Sequence, residues 1–295
     1  MDWKEAFSEY KSYLKLEKSL SDNTLEAYLR DLKKLESFSD QNPIEINKSD
    51  LDEFIYQFAK NKPAARSQAR LISSLKSFFG YLQMEEWRDD NPSELLESPK
   101  LGLKLPDVLS EQDINKLVAT VDLSLPEGHR NVAILEMLYG CGLRVSELTE
   151  LKLSDLFFEE NFIKVTGKGN KQRLIPISDY TIKYISLYID HVRNHQKIQR
   201  GFEDYVFLNR RGKNLTRVMI FTMVKNLAEK AKVGKISPHT FRHSFATHLL
   251  KNGADLRSIQ MMLGHESITT TEIYTHLDDQ DMRNAILKCH PRNLR

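Results

Sequence analysis

Apolar residues recur along this chain at two periods, and the change of period divides it. Trp3, Phe7, Tyr10 and Leu14 lie three or four positions apart, as one face of a helix requires. Ser21, Asp22 and Asn23 then offer N-cap side chains ahead of Leu25, Tyr28, Leu32 and Leu35. Asp50 is the expected cap of a third helix bearing Leu51, Phe54, Ile55 and Phe58. A fourth is predicted over residues 64–82, with Leu71, Leu75, Phe78, Phe79 and Leu82 inward. Its other face is small and basic: Arg66, Ser67, Arg70, Ser73, Ser74 and Lys76. That face reads equally as a solvated surface or as one suited to phosphate contacts. The first hundred residues therefore predict a bundle of four or five helices.

Asn91-Pro92 marks a turn, and residues 98–106 carry Pro, Gly and Lys with no period, as a linker does. Ser110 with Asp113 three residues on opens a capping box, and helical spacing continues to Tyr139, with Gly140 and Gly142 as C-cap glycines. Between residues 155 and 177 the period drops to two. Runs 156–158, 162–165 and 173–177 predict a three-stranded antiparallel meander, with Gly167-Lys168-Gly169-Asn170-Lys171 at a hairpin tip. Helices resume over 179–196 and 217–232, and Tyr205 to Leu208 is a short apolar run ahead of a turn at 209–212. Pro238 then opens a helix with the stripe Phe241, Phe245 and Leu249. A terminal helix is expected over 278–288 with Met282 and Ile286 on one side, followed by a loose polar tail, HPRNLR. The fold class that follows is mainly α with a small antiparallel three-stranded sheet. It divides into a helical domain (1–97), a linker (98–106) and a mixed domain (107–295).

Composition narrows this little. Of 295 residues 40% are hydrophobic and 28% charged, as in ordinary globular proteins. No run of eighteen apolar residues occurs, and the opening MDWKEAFSEY is not patterned as a signal peptide. The two cysteines, Cys141 and Cys289, have no metal-ligand spacing, so a reducing cytoplasm and no membrane are expected. Residues 1–105 hold 16 Lys and Arg against 19 Asp and Glu, and the remainder 27 against 22. The basic excess thus lies in the second half, compatible with a polyanionic partner but not diagnostic of one.

That half also holds the chemistry-bearing residues. His239 and Arg242 stand three apart on one helix face and can reach one ligand. A Leu-Gly-His turn ends in His265, and Tyr274 follows nine residues later. Arg144 follows a glycine break, with Glu147 three residues on to orient it. Arginine forks onto phosphate oxygens, imidazole moves protons near neutral pH, and tyrosine can act as a nucleophile. Each has a plainer reading: a surface ion pair for Arg144, a solvated turn for Lys168, a structural partner for His248. A zinc site at His239 and His243 lacks the glutamate or cysteines it would need. No G-x-x-x-x-G-K-[ST] loop is present, and no cofactor is implied.

The order Arg144, Lys168, His239-x-x-Arg242, His265, Tyr274 resembles that of the tyrosine recombinase (phage integrase) family, in particular its Xer branch. The likeness covers essentially the whole chain. SDNTLEAYLRDL and RLISSLKSFFGYL are similar to the family's core-binding domain, and GLRVSEL, TGKGNKQRLIPI, HTFRHSFATHLL and MLGHESITTTEIYTH to its catalytic segments. The resemblance implies that Tyr274 attacks a scissile phosphate to form a 3′-phosphotyrosyl bond, with His239 assisting its deprotonation. Arg144 and Arg242 would hold the non-bridging oxygens, Lys168 would protonate the leaving 5′-oxygen, and His265 would donate a further hydrogen bond. Glu147 would orient Arg144. It also implies a two-domain clamp on double-stranded DNA carrying a specific recombination site, without metal or cofactor. The terminal helix would dock on a neighbouring protomer or pack its apolar face on its own domain, which the sequence leaves open. A homo- or hetero-tetramer on two sites is implied, with a XerC-like paralogue as candidate partner and an FtsK-like DNA translocase as candidate activator. A type IB topoisomerase, an integrase of a mobile element and a non-catalytic DNA-binding protein are the competing readings.

Overall fold

The computed structural model describes residues 2–18, 20–99, 108–167, 170–264 and 276–293. Most of the expected linker, from residue 100 on, lies outside them. The chain forms two compact units, Met1–Lys104 and Leu105–Arg295. No helix among the described residues is long and apolar enough to cross a membrane.

The first unit holds α1 (Trp3–Leu16), α2 (Asp22–Glu36), α3 (Lys48–Lys60) and α4 (Ala65–Met84). Side chains of Asp2 and Ser21 cap the first two helices. The third starts earlier than Asp50. Asn47 accepts the Ser49 and Asp50 N–H groups, and the Asp50 carboxylate accepts from the Asn47 N–H. Asp50 is thus the returning half of a capping box rather than the cap itself. The expected apolar face of α4 is buried around Phe78, whose ring stacks on Trp3 and meets Tyr10 edge-on. Offset and edge-on contacts of this kind are the favoured aromatic geometries.

The basic face of α4 needs one correction. Ser74 is buried, and its hydroxyl donates back to the Arg70 carbonyl, so it is not available to a phosphate. Arg70 itself is half-exposed and forks onto Asp31 of α2, at 2.8 and 3.2 Å. Lys34 reaches the same carboxylate at 2.7 Å. Burial pushes the Asp31 carboxyl up, but these two cations outweigh it and hold it below the usual carboxylate range.

In the second unit α5 (Glu111–Ala119) begins at the expected Ser110–Asp113 capping box. The buried helix α6 (Gly128–Gly140) runs into the short α7 (Val145–Glu150). Gly140 is still helical: a Cβ there would lie 2.5 Å from the hydroxyl of buried Thr181, so the glycine serves close helix approach rather than capping. Strands β1 (Leu156–Phe157), β2 (Phe162–Thr166) and β3 (Gln172–Pro176) pair antiparallel in sequence order, with Ile163 opposite Ile175. Helices α8 (Asp179–His191), α9 (Arg217–Ala231), α10 (Pro238–Lys251), α11 (Leu256–Leu263) and α12 (His276–Cys289) complete the unit. The run 192–196 leaves α8 as a separate 3₁₀ turn. Phe241, Phe245 and Leu249 are fully buried, and His248 accepts the structural role, 2.8 Å from the Tyr139 hydroxyl.

Met282, Ala285 and Ile286 of α12 are buried on their own unit, against α10, α11 and β3. The tail that follows is not loose. His290 is fully buried against Tyr139 and Phe245, and Arg292 forks onto the buried Glu136 at 2.9 and 2.7 Å while donating to Asn115. Its guanidinium also lies over the rings of Tyr139 and Tyr180. A polar tripeptide docks here because each polar group meets a buried partner.

Removing one member of a buried ion pair strands the other, at a cost of about 3–5 kcal/mol. Arg292→Ala should lower stability to chemical denaturation by that amount, while Arg283→Ala, at an exposed position of α12, should change it by no more than about 0.5 kcal/mol. Equal effects would mean that the tail is not docked. Asp31 gives a pH test. Its folded-state pKa lies below the unfolded value near 3.8, so its contribution is complete above that value and is lost as pH falls through the folded pKa. The stability gap between the wild type and Asp31→Asn, measured by urea titration, should therefore shrink on acidification.

Candidate active site

The site is assembled around one carboxylate. Gly142 follows α6 with φ +60°, a conformation that favours glycine, and a Cβ there would strike the Phe245 ring at 2.6 Å. This turn delivers Arg144 to the N-cap of α7, and Glu147 to the first turn of the same helix. The Glu147 carboxylate accepts the Arg144 backbone N–H and the Arg144 guanidinium, each at 2.8 Å. The expected pairing of Arg144 with Glu147 is present, and it is only part of what Glu147 does.

Two further arginines converge on it. Arg173, from β3, forks onto both Glu147 oxygens at 2.9 Å and donates its Nε–H to the Met262 carbonyl at 2.8 Å. Arg242, from α10, approaches to 4.0 Å. It donates to the carbonyls of Gly142 and Leu263. Arg144 reaches the carbonyl of Gly264, which caps α11 in the left-handed conformation. The carbonyl ends of two chain segments thus hold the guanidinium groups in place.

Electrostatics follow from the count. Among the described residues three guanidinium groups share one carboxylate, which leaves two positive charges of these four groups unneutralised. Burial pushes the Glu147 carboxyl up, but Arg173 and then Arg144 outweigh it and hold it below the usual range. Burial, with the repulsion of Arg144, pushes Arg242 down to about 9. A buried cation under that penalty gains from an anion, and forked N–H donors match phosphate oxygens. The Arg144 side chain is 34% exposed, against 11% for Arg242 and 8% for Arg173, so Arg144 is the most open of the three.

His239 sits exposed in the first turn of α10, three residues before Arg242, with its ring 6.2 Å from that of Phe221. Lys168, His265 and Tyr274 lie outside the described residues. Their described neighbours in sequence are Gly167, whose N–H donates to Lys171; Gly264, whose carbonyl Arg144 holds; and His276, where α12 begins.

Arg173 was not singled out by the sequence pattern, although a signal for it exists. In β3 it alternates with Ile175, and both are buried. A charged residue at an inward strand position requires a buried partner. Glu147, 26 residues earlier, is that partner.

Comparisons with known proteins place the chain in a family. Residues 107–281 match the phage integrase family, and residues 7–86 match its N-terminal SAM-like domain. The chain is 41% identical to the tyrosine recombinase XerD of Staphylococcus haemolyticus over 96% of its own length and 98% of that relative. It is similar to the crystal structure of XerA recombinase, with 32% identity, a TM-score of 0.51, and coverage of 98% of this chain and 99% of that one. It also shares the fold of XerH site-specific recombinase in its post-cleavage complex with a palindromic difH substrate, at 24% identity and a TM-score of 0.70 over 89% of this chain and 79% of that one. The chain therefore belongs to the phage integrase family and is a site-specific tyrosine recombinase of the Xer, XerD-like kind.

Proposed function

We propose that the arginine cluster holds the scissile phosphate of double-stranded DNA while Tyr274 attacks it. The observation that carries this is the pair of unneutralised charges on Arg144 and Arg242 beside Glu147. Each arginine takes one non-bridging oxygen, and charge that grows on the pentacovalent phosphorus is met by donors already in place. The Tyr274 hydroxyl, protonated at neutral pH with a reference pKa near 10, gives its proton to His239 as Oη bonds to phosphorus. The bond from phosphorus to the 5′-oxygen breaks, and Lys168 supplies the proton for that oxygen. His265 donates a further hydrogen bond to a phosphate oxygen, and Glu147 orients Arg144.

The products are a 3′-phosphotyrosyl linkage and a free 5′-hydroxyl. The covalent bond conserves the phosphodiester energy, so attack by a different 5′-hydroxyl is roughly isoenergetic and completes strand exchange. Two arginines and a lysine supply the positive charge at the phosphate.

At the scale of the cell, this reading assigns the protein to resolution of chromosome dimers at a dif-like site in the cytoplasm, in support of segregation and division. The likeness to a XerD protein along nearly the whole chain supports that assignment. The first unit serves as the core-binding domain, presenting the exposed Arg66 and Lys76 of α4 to DNA, and the second as the catalytic domain. The protein acts as a tetramer on two sites, with a XerC-like paralogue as partner and an FtsK-like translocase as activator.

A nicked suicide duplex carrying the host's dif-like site tests the chemistry. In EDTA and without ATP, wild-type protein should form a covalent adduct on a denaturing gel, and Tyr274→Phe should form none. Arg144→Ala should slow adduct formation by about 10²–10³-fold at saturating duplex, the usual effect of removing a transition-state donor. Absence of adduct when paralogue and translocase are both supplied would leave a DNA-binding protein without this chemistry.

A further inference from the structure

We propose that Arg173 is a positioning residue for strand cleavage. It neutralises and aims Glu147, so that the charges of Arg144 and Arg242 stay available to the phosphate. The proposal rests on the reading that those two arginines hold the scissile phosphate.

Both Glu147 oxygens are occupied by Arg173 in a forked geometry, at 2.9 Å each. Arg144 takes a single side-chain contact to one of them, and Arg242 stays at 4.0 Å. Among the three arginines, then, Arg173 consumes the carboxylate's charge. Its side chain is only 8% exposed and is closed in by two glycines. A Cβ on Gly264 would come within 3.3 Å of its Cδ, Nε and one terminal nitrogen, and a Cβ on Gly167 within 3.3 Å of a terminal nitrogen. This packing, with the Nε–H bond to the Met262 carbonyl, leaves Arg173 facing Glu147 rather than a substrate.

Its position gives it a second effect. Arg173 lies on β3, Glu147 on α7 and Met262 at the end of α11. One side chain therefore ties the return strand of the hairpin, the helix that carries Arg144 at its N-cap, and the segment whose last carbonyls hold Arg144 and Arg242. Without Arg173, the Glu147 carboxylate is free to draw Arg144 and Arg242 onto itself, and the surplus falls from two charges to one.

The test compares Arg173→Met, Arg173→Lys, Glu147→Gln and the double variant Arg173→Met/Glu147→Gln, with wild type and Tyr274→Phe as controls. Site binding is read by gel shift, cleavage by adduct formation on the suicide duplex, and folding by thermal melting. Arg173→Met should cleave about 10²-fold more slowly at saturating duplex while binding the site no more weakly than Arg144→Ala, and Arg173→Lys should fall between it and wild type. The double variant removes the carboxylate together with its partner and restores the two-charge surplus. It should cleave faster than Arg173→Met and within about 3-fold of Glu147→Gln, since an effect routed through one partner is not additive. That last comparison still decides the matter if Arg173→Met alone fails to fold. Wild-type cleavage by Arg173→Met, or losses that multiply in the double variant, would overturn the proposal while leaving the phosphate reading intact. A wild-type protein that forms no adduct would overturn both.

Discussion

One carboxylate shared among three arginines is the constraint on which the catalytic unit depends. Glu147 is almost fully buried, and a lone buried carboxylate would not stay ionised at little cost. Arg173 makes its burial tolerable, and among the described residues the partly open Arg144 and the buried Arg242 share with it this single carboxylate. That state is unfavourable in isolation, as the depressed Arg242 pKa records. It is favourable once an anion arrives. The backbone carbonyls of Gly142, Leu263 and Gly264 hold the guanidinium groups of Arg144 and Arg242 where the proposed phosphate would meet them.

Much of the surrounding fold can be understood as what keeps those carbonyls in place. The close approach of α6 and α8 at Gly140 and the left-handed turn at Gly142 set the start of α7. The stripe of Phe241, Phe245 and Leu249 seats α10, and so Arg242, in the core. Further along, α12 packs on the same unit, and the buried Arg292–Glu136 pair ties the chain's end to α6.

The helices and the sheet were legible in the sequence because amphipathic period is a local property. Tyr10, Leu32, Leu75, Phe241 and Ile175 are all buried where the period places them. Pairings between distant residues were not legible. Arg292 finds Glu136 at a separation of 156 residues, and nothing local distinguishes that arginine from one in a loose tail. Arg173 was half-legible: strand alternation points it inward, but its partner becomes apparent only when α7 and β3 are brought together. Ser74 misled because a small polar residue between basic ones looks exposed, whereas a serine on a helix can satisfy itself on its own backbone. Arg144 and Glu147, close in sequence and related by helix geometry, were readable as a pair.

The proposed partner of the two surplus charges of the arginine cluster is the scissile phosphate. A duplex in which that single phosphate is replaced by an uncharged methylphosphonate tests it most directly, through the affinity of the wild type and of Arg144→Ala for the modified and native sites. A charge-assisted hydrogen bond contributes about 1.5–3 kcal/mol, so wild type should bind the neutral site about 10- to 100-fold more weakly, and Arg144→Ala should discriminate much less. Equal affinity of the wild type for both duplexes would contradict the account.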